Sequence, residues 1–398
     1  MPKISKRASK APFSPIRYLA PYAEAAKNRG IKVYHLNIGQ PDIETPPLFL
    51  NAVKNADITI LEYGHSAGNE SYRRKLCEYY KRHDINVDPS EIIITCGGSE
   101  AISFALMTCF NPGDEILVAE PYYPNYLGMT IYHDIKIIPV KSTIDNGFAL
   151  PKINEFEAAI TLRTKGILVC NPSNPTGYLY SKAEMLALGE LAKKFDLFIL
   201  SDEVYREFCY DGKQHVSAMH LKGLEDNVIL LDSISKRYSA CGARIGAFIT
   251  KNKAVVTSAM KFAQTRLSPP TYGQIGAEAV LDISTEYLEN IRLEYALRRD
   301  YIVDELNKID GVFCPKPSGA FYCMARLPID SSTKFCQWLL ESFEHNGKTL
   351  MLAPGCGFYS SPESAPNQVR AAYVLNREDL KEALICLRAA LAVYPGRC

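Results

Sequence analysis

The run Asn227-Val-Ile-Leu-Leu-Asp-Ser-Ile-Ser-Lys236 decides the fold. Residues 227–232 are almost continuously apolar, and the run ends in a serine-rich turn that carries Lys236. A strand with one wet face alternates. This one reads as buried on both faces, as in a mostly parallel sheet covered by helices. Residues 91–95, 115–119, 165–170 and 197–200 repeat the pattern, and 242–250 looks like one more strand. Helical stretches lie between them. One opens at Gly97-Gly98 and runs to Phe110, where Asn111-Pro112-Gly113 stops it. Another is amphipathic over residues 182–195. Such alternation predicts an α/β domain of three layers, with helices on both sides of the sheet.

In open α/β sheets, ligands lie outside the carboxyl ends of the strands. Gly97, Asn171, Asp202 and Ser233 each fall just after a predicted strand, so they should converge. Gly97-Gly98-Ser99 can open a helix onto a phosphate, because backbone N–H groups and the helix dipole favour an anion there. Ser233, Ser235 and Arg244 add hydroxyls and a guanidinium fork. Lys236 supplies an amine, Asp202 a carboxylate, and Tyr205 and Asn174 further polar groups. These meet the demands of pyridoxal 5'-phosphate (PLP). It needs an amine that condenses with its aldehyde, a carboxylate that keeps its pyridine nitrogen protonated, and a phosphate cradle. Singly, each string is a surface lysine, a turn or a helix cap. Their order and spacing carry the reading.

With these strings in view, the chain resembles a class I/II aminotransferase, a fold type I PLP enzyme of the aspartate-aminotransferase kind. The likeness runs from Asn37-Ile-Gly-Gln-Pro-Asp42 through Asn171-Pro-Ser-Asn-Pro-Thr-Gly177, Ser201-Asp-Glu-Val-Tyr205 and Gly242-Ala-Arg-Ile-Gly246 to Arg370. It implies a large PLP-binding domain over residues 46–290 and a smaller α/β domain built from both chain ends, 1–45 and 291–398. Lys236, Asp202 and Tyr205 would be the catalytic set. Gly98, Ser99, Glu100, Ser233, Ser235 and Arg244 would hold the phosphate, with Arg237 a weaker candidate. Tyr123 would stack on the cofactor face, and Asn174 and Tyr205 would reach its ring oxygen. Arg370 would take the substrate α-carboxylate bidentately, with Gly39 and Asn174 also facing substrate. Tyr63 would reach the phosphate of a neighbouring subunit, making a homodimer with shared active sites.

The implied reaction moves an amino group from an amino acid donor to a 2-oxo acid acceptor by a ping-pong route, with aspartate and 2-oxoglutarate as one pair. A carbon–sulfur β-lyase shares the first steps. A PLP-binding regulator would need an appended DNA-binding module, for which residues 1–35 are too short. One departure bears on substrate. Many aspartate-specific relatives carry Gly-Gly-Lys-Gln where this chain has Gly97-Gly-Ser-Glu100, so a cation is missing. Arg17 and Lys10 are the substitutes at hand, and Glu100 would repel a second carboxylate if it pointed inward.

Bulk properties narrow the remaining classes. The chain has 398 residues, 47% hydrophobic and 22% charged, enough for two compact units. A net charge of +1 gives no electrostatic case for nucleic acid or an anionic membrane. The N-terminal ten residues are basic without a following apolar run, which reads as a loose tail rather than a secretory signal. The twelve cysteines lack any C-x-x-C pair and several lie in apolar stretches, so buried free thiols in the cytoplasm are expected, with no metal. Residues 286–310 read as a long charged helix. Residues 18–30 and 378–393 also read as helices, and 32–36, 311–327, 349–352 and 369–375 as strands.

Overall fold

The computed structural model describes residues 2–398; Met1, part of the basic tail, lies outside them. The strands in chain order are β1 (Lys32–His35), β2 (Ile92–Thr95), β3 (Glu115–Glu120) and β4 (Lys136–Lys141). Next come β5 (Thr164–Cys170), β6 (Phe198–Asp202), β7 (Val228–Ser233) and β8 (Gly246–Ile249). The last four are β9 (Tyr322–Arg326), β10 (Lys348–Met351), β11 (Ala353–Pro354) and β12 (Gln368–Ala372). Seven of them form one sheet in the order β2-β8-β7-β6-β5-β3-β4. Only β8 runs antiparallel to its neighbours.

Side chains of successive strand residues point to opposite faces, and each face of this sheet has its own core. Leu168, Leu200, Leu231 and Phe248 pack with Ala101, Phe104 and Ala105 of the helix Gly98–Cys109. Their neighbours Ile167, Ile199 and Val228 pack with Leu188, Leu191 and Ala192 of the helix Lys182–Phe195. Apolar residues on both faces of one strand require a helical layer on each side. The result is an α/β fold with a mixed, mostly parallel central sheet, as the uninterrupted apolar runs indicate.

Register then decides what meets at the sheet's edge. Cys170 pairs with Asp202, and Asp202 with Leu231. Gly246 pairs with both Ser233 and Thr95. The loops that begin at Cys96, Asn171, Glu203 and Ile234 therefore leave the sheet side by side.

Both chain ends enter two smaller sheets. β1 pairs in parallel with β10, Lys32 opposite Lys348. β12 lies between β11 and β9, with Arg370 opposite Ala353 and Met324. The Leu36 N–H donates to Met351 O, and the Ala372 N–H to Leu36 O, which ties the two small sheets together.

Three sequence expectations need correction. The strand expected over 242–250 is only Gly246–Ile249, because residues 241–243 form a 3-10 turn and Arg244 adopts left-handed φ of 54°. The strand expected over 311–327 shrinks to Tyr322–Arg326, since Pro315 and Pro317 cannot donate to a ladder. The expected loose tail contains a short helix, Lys6–Lys10, capped by the Ser5 hydroxyl. Arg7 of that helix donates to Tyr132 O at 2.9 Å.

Candidate active site

A cleft of ≈ 560 Å³ opens where the carboxyl ends of β5, β6 and β7 meet the segments around Gly39 and Arg370. Lys236 reaches into it from the turn after β7, and its Nζ donates to Gly39 O at 2.8 Å. Burial pushes the Lys236 ammonium below its ordinary value, and Arg370 and Arg244 add to the effect while Asp202 opposes it. A buried amine with depressed basicity spends more of its time neutral and nucleophilic. Gly39 must be glycine here, because a Cβ would overlap the Tyr322 hydroxyl.

Asp202 ends β6 and is almost fully buried. Its Oδ2 accepts from the Tyr126 hydroxyl at 2.6 Å. Burial raises its carboxyl to about 6, with Tyr126 and the Val204 amide pulling the other way. Tyr205 shares a hydrogen bond with Tyr322, hydroxyl to hydroxyl at 2.8 Å. Arg370 is buried in β12, donating to Asn174 Oδ1 at 2.9 Å and Asn37 O at 2.5 Å. Among the described residues its Nε has no partner and no carboxylate pairs with this guanidinium, so a buried cation stands ready for an anion from outside.

The anion cradle forms on the other side. The helix Gly98–Cys109 starts at the cleft, with Gly97 at φ of 79° turning the chain into it. A Cβ at Gly97 would overlap the Arg244 guanidinium, so glycine lets that side chain lie against the helix start. Arg244 donates to Cys241 O at 3.1 Å and Cys96 O at 3.3 Å. The Ser233 and Ser235 hydroxyls lie 2.8 Å apart. Backbone N–H groups, two hydroxyls and a guanidinium suit a phosphate dianion.

Of the residues expected from sequence, Gly39, Gly98, Ser99, Tyr123, Asn174, Asp202, Tyr205, Ser233, Ser235, Lys236, Arg244 and Arg370 line this one cleft. Glu100 does not. Its carboxylate accepts from the Cys96 N–H at 2.8 Å and pairs with Arg266 at 3.3 Å, and its own N–H donates to Gly97 O. It supports the turn and offers the cleft neither a donor nor a repelling charge. Arg237 is also elsewhere, in a buried ion pair with Asp232 at 2.7 Å. Tyr63 is 77% exposed and outside the cleft of its own chain. Arg17 does line the cleft, whereas Lys10 borders a separate surface groove.

Tyr322, Cys241 and the contact of Tyr126 with Asp202 escaped the sequence reading. The Cys241 thiol donates to Ser235 O at 3.2 Å and lies 4.0 Å from Lys236 Nζ. No local string marks these residues. Only a search for partners of Gly39 and Asp202 across the folded chain finds them.

An amine, a buried carboxylate and a set of donors suited to an anion thus share one cleft. The family model described as aminotransferase class I and II matches residues 31–385, and the chain belongs to that family. It is 32% identical to the putative aminotransferase YugH of Bacillus subtilis (strain 168), covering 94% of this chain and 98% of the relative. It is 30% identical to the aspartate aminotransferase of the same organism, covering 96% and 97%. The alanine aminotransferase from Pyrococcus furiosus superposes with a TM-score of 0.89 at 31% identity, covering 97% of this chain and 99% of that one. The protein is an aminotransferase of a PLP-dependent family, and amino-group transfer displaces the lyase and regulator readings.

Proposed function

We propose that this chain holds PLP on Lys236 and passes an amino group from aspartate to 2-oxoglutarate. The observation that carries the reading is a depressed lysine, a buried carboxylate and a phosphate-shaped cradle in one cleft. When bound, the cofactor supplies an electron sink for charge developing at the substrate α-carbon. Asp202 would accept a hydrogen bond from the protonated ring nitrogen, and Tyr205 and Asn174 would donate to the ring oxygen. Tyr123 would cover the ring face. The Gly98 and Ser99 amides, Ser233, Ser235 and Arg244 would hold the phosphate. Arg370 would fix the substrate α-carboxylate, leaving the Lys236 amine to take the α-proton. The donor set fits this group, since Lys236, Asp202, Ser233, Ser235 and Arg244 line one cleft.

Residues 46–290 form the cofactor domain in this reading, and 1–45 with 291–398 the smaller one. The oligomer is a homodimer in which Tyr63 of each subunit serves the other's phosphate. The cytoplasm is the proposed compartment, supported by twelve free cysteines. Among the described residues, no helix is long and apolar enough to cross a membrane. Borohydride reduction followed by peptide mapping tests the assignment. The reduced cofactor should appear on Lys236, and Lys236→Ala should bind PLP without a covalent link. Recovery of the adduct on another lysine would refute it.

A further inference from the structure

Tyr322 opens β9, opposite Ala372, and its largely buried side chain lines the cleft. It has no task in the reaction proposed above, although it touches three groups that do. Its hydroxyl lies 2.8 Å from the Tyr205 hydroxyl, and among the described residues neither oxygen has another partner. Its ring lies 4.4 Å from the Arg370 guanidinium, which Phe358 also approaches at 4.8 Å. Its hydroxyl also fills the space that a Cβ on Gly39 would take, and Gly39 O accepts from Lys236 Nζ at 2.8 Å.

The side chain has little freedom. The Tyr205 ring meets it edge-on, with centres 5.5 Å apart and planes at 84°, and the Phe321 ring lies 5.0 Å away. Gly177 lacks a Cβ where one would overlap Tyr322 O, so the loop that holds Asn174 packs on the same backbone. Burial raises both phenols above their ordinary value, and both hydroxyls keep their protons at neutral pH. Only one of those two protons can lie between the oxygens. When Tyr205 donates to Tyr322, it has nothing left for an acceptor in the cleft. When Tyr322 donates, the Tyr205 proton is free to point outward, and successive links in such a chain strengthen each other. Arg370 meets a different need. A buried cation facing a carboxylate would be neutralised before substrate arrived, whereas an aromatic face attracts it and leaves its N–H groups free.

We propose that Tyr322 is a positioning residue with two working ends: its hydroxyl turns the Tyr205 proton toward the cofactor's ring oxygen, and its ring face holds the Arg370 guanidinium for the substrate α-carboxylate. The inference rests on the PLP reading above and adds a residue that acts through two others. A donor chain ending on the ring oxygen favours its anionic form, so the nitrogen linked to Lys236 gives up its proton at lower pH. Removing the Tyr322 hydroxyl weakens that chain and raises the pH of the transition. Removing the ring as well loosens Arg370 and weakens carboxylate binding. The two ends therefore have separate readouts.

The test follows the visible absorbance of the PLP-loaded enzyme against pH, together with binding of butyrate as an unreactive carboxylate. Tyr322→Phe should raise the midpoint of the absorbance change by about 0.3–1 pH unit, the worth of one hydrogen bond. Its butyrate affinity should stay within about twofold of wild type, because the ring remains. Tyr322→Leu should shift the midpoint similarly and weaken butyrate about 3- to 30-fold. In a Tyr205→Phe background, Tyr322→Phe should move the midpoint by less than about 0.2 pH unit, since the hydroxyl acts through Tyr205. An unmoved midpoint in Tyr322→Phe, a shift that persists without the Tyr205 hydroxyl, or equal butyrate losses in the Phe and Leu variants would overturn the proposal. Tyr322→Phe keeps the packing, so the hydroxyl end is decided even where the Leu variant does not fold. The borohydride link to Lys236 separates the two ideas. Its absence in the wild type sinks the cofactor reading and this one with it, whereas an intact link with an unmoved midpoint sinks the Tyr322 role alone.

Discussion

Asp202 shows how burial and function oppose each other within one side chain. Its carboxyl is raised to about 6 by burial, so its charged form is the less comfortable one in the protein without cofactor. Pairing with a protonated ring nitrogen requires that charged form. Affinity for PLP should therefore be full above pH 6 and fall as acid protonates Asp202. Titrating the cofactor-free protein with PLP at about pH 5 and about pH 7.5 reads this directly. Asp202→Asn should bind weakly at both values. A wild type equally tight at both would count against the proposed partnership. Lys236, Asp202 and Asn174 were legible because each sits in a short string at or just after the carboxyl end of a strand, and Arg244 because it lies in the Gly-Ala-Arg-Ile-Gly string that leads into β8. Tyr322 was not, because its contact with Gly39 joins distant parts of the chain. Glu100 was misjudged because helix-start acids look alike until the partner, here Arg266, is known.

Among the elements, β7 and the turn after it carry the most strongly linked charges. Arg237 binds Asp232 through both terminal guanidinium nitrogens, at 3.2 and 2.7 Å, and Tyr80 donates to Asp232 at 2.5 Å. Burial would raise the Asp232 carboxyl, but Arg237 and Arg206 outweigh it and hold it at about 2. The ordinary value is 3.8, so this pairing stabilises the fold above that pH and its contribution is lost as pH falls through 2. Asp232→Ala leaves buried Arg237 uncompensated and should cost about 3–5 kcal/mol of folding free energy. Chemical denaturation monitored by circular dichroism is the check, and a loss below about 1 kcal/mol would mean that the pair is not what holds the turn. The apolar runs of β5, β6 and β7 were plain in the sequence because burial on both faces leaves no polar alternation. β4 was not, since its Lys-Ile-Ile-Pro-Val-Lys carries a proline; as an edge strand it has a side where no N–H is needed.

At the scale of the whole molecule, the exposed residues Ile60, Leu61 and Tyr63 form an apolar segment at 78%, 60% and 77% exposure. Such a segment is costly to leave in water and suits the homodimer proposed above. If Tyr63 serves the other subunit, mixing inactive Tyr63 and Lys236 variants should restore part of the activity. One site of a mixed dimer would carry both lesions and the other neither. No recovery after verified subunit exchange, or an active monomer in sedimentation, would defeat the shared site. Sequence pattern conveyed the α/β class and most of the cleft, but little of how the chain ends combine, because pairing between remote strands leaves no local mark.

That pairing has a consequence for how the protein is made. Lys32 lies opposite Lys348, so β1 has no sheet partner until β10, far along the chain, has been made. The Arg17 turn is tied through Asn37 to the same late-completed region. During synthesis the central sheet can close while β1 waits as an open edge, vulnerable to pairing with other nascent chains. Closing so long a loop is slow, and maturation of the substrate cleft waits on the arrival of β10 rather than on the folding of β1.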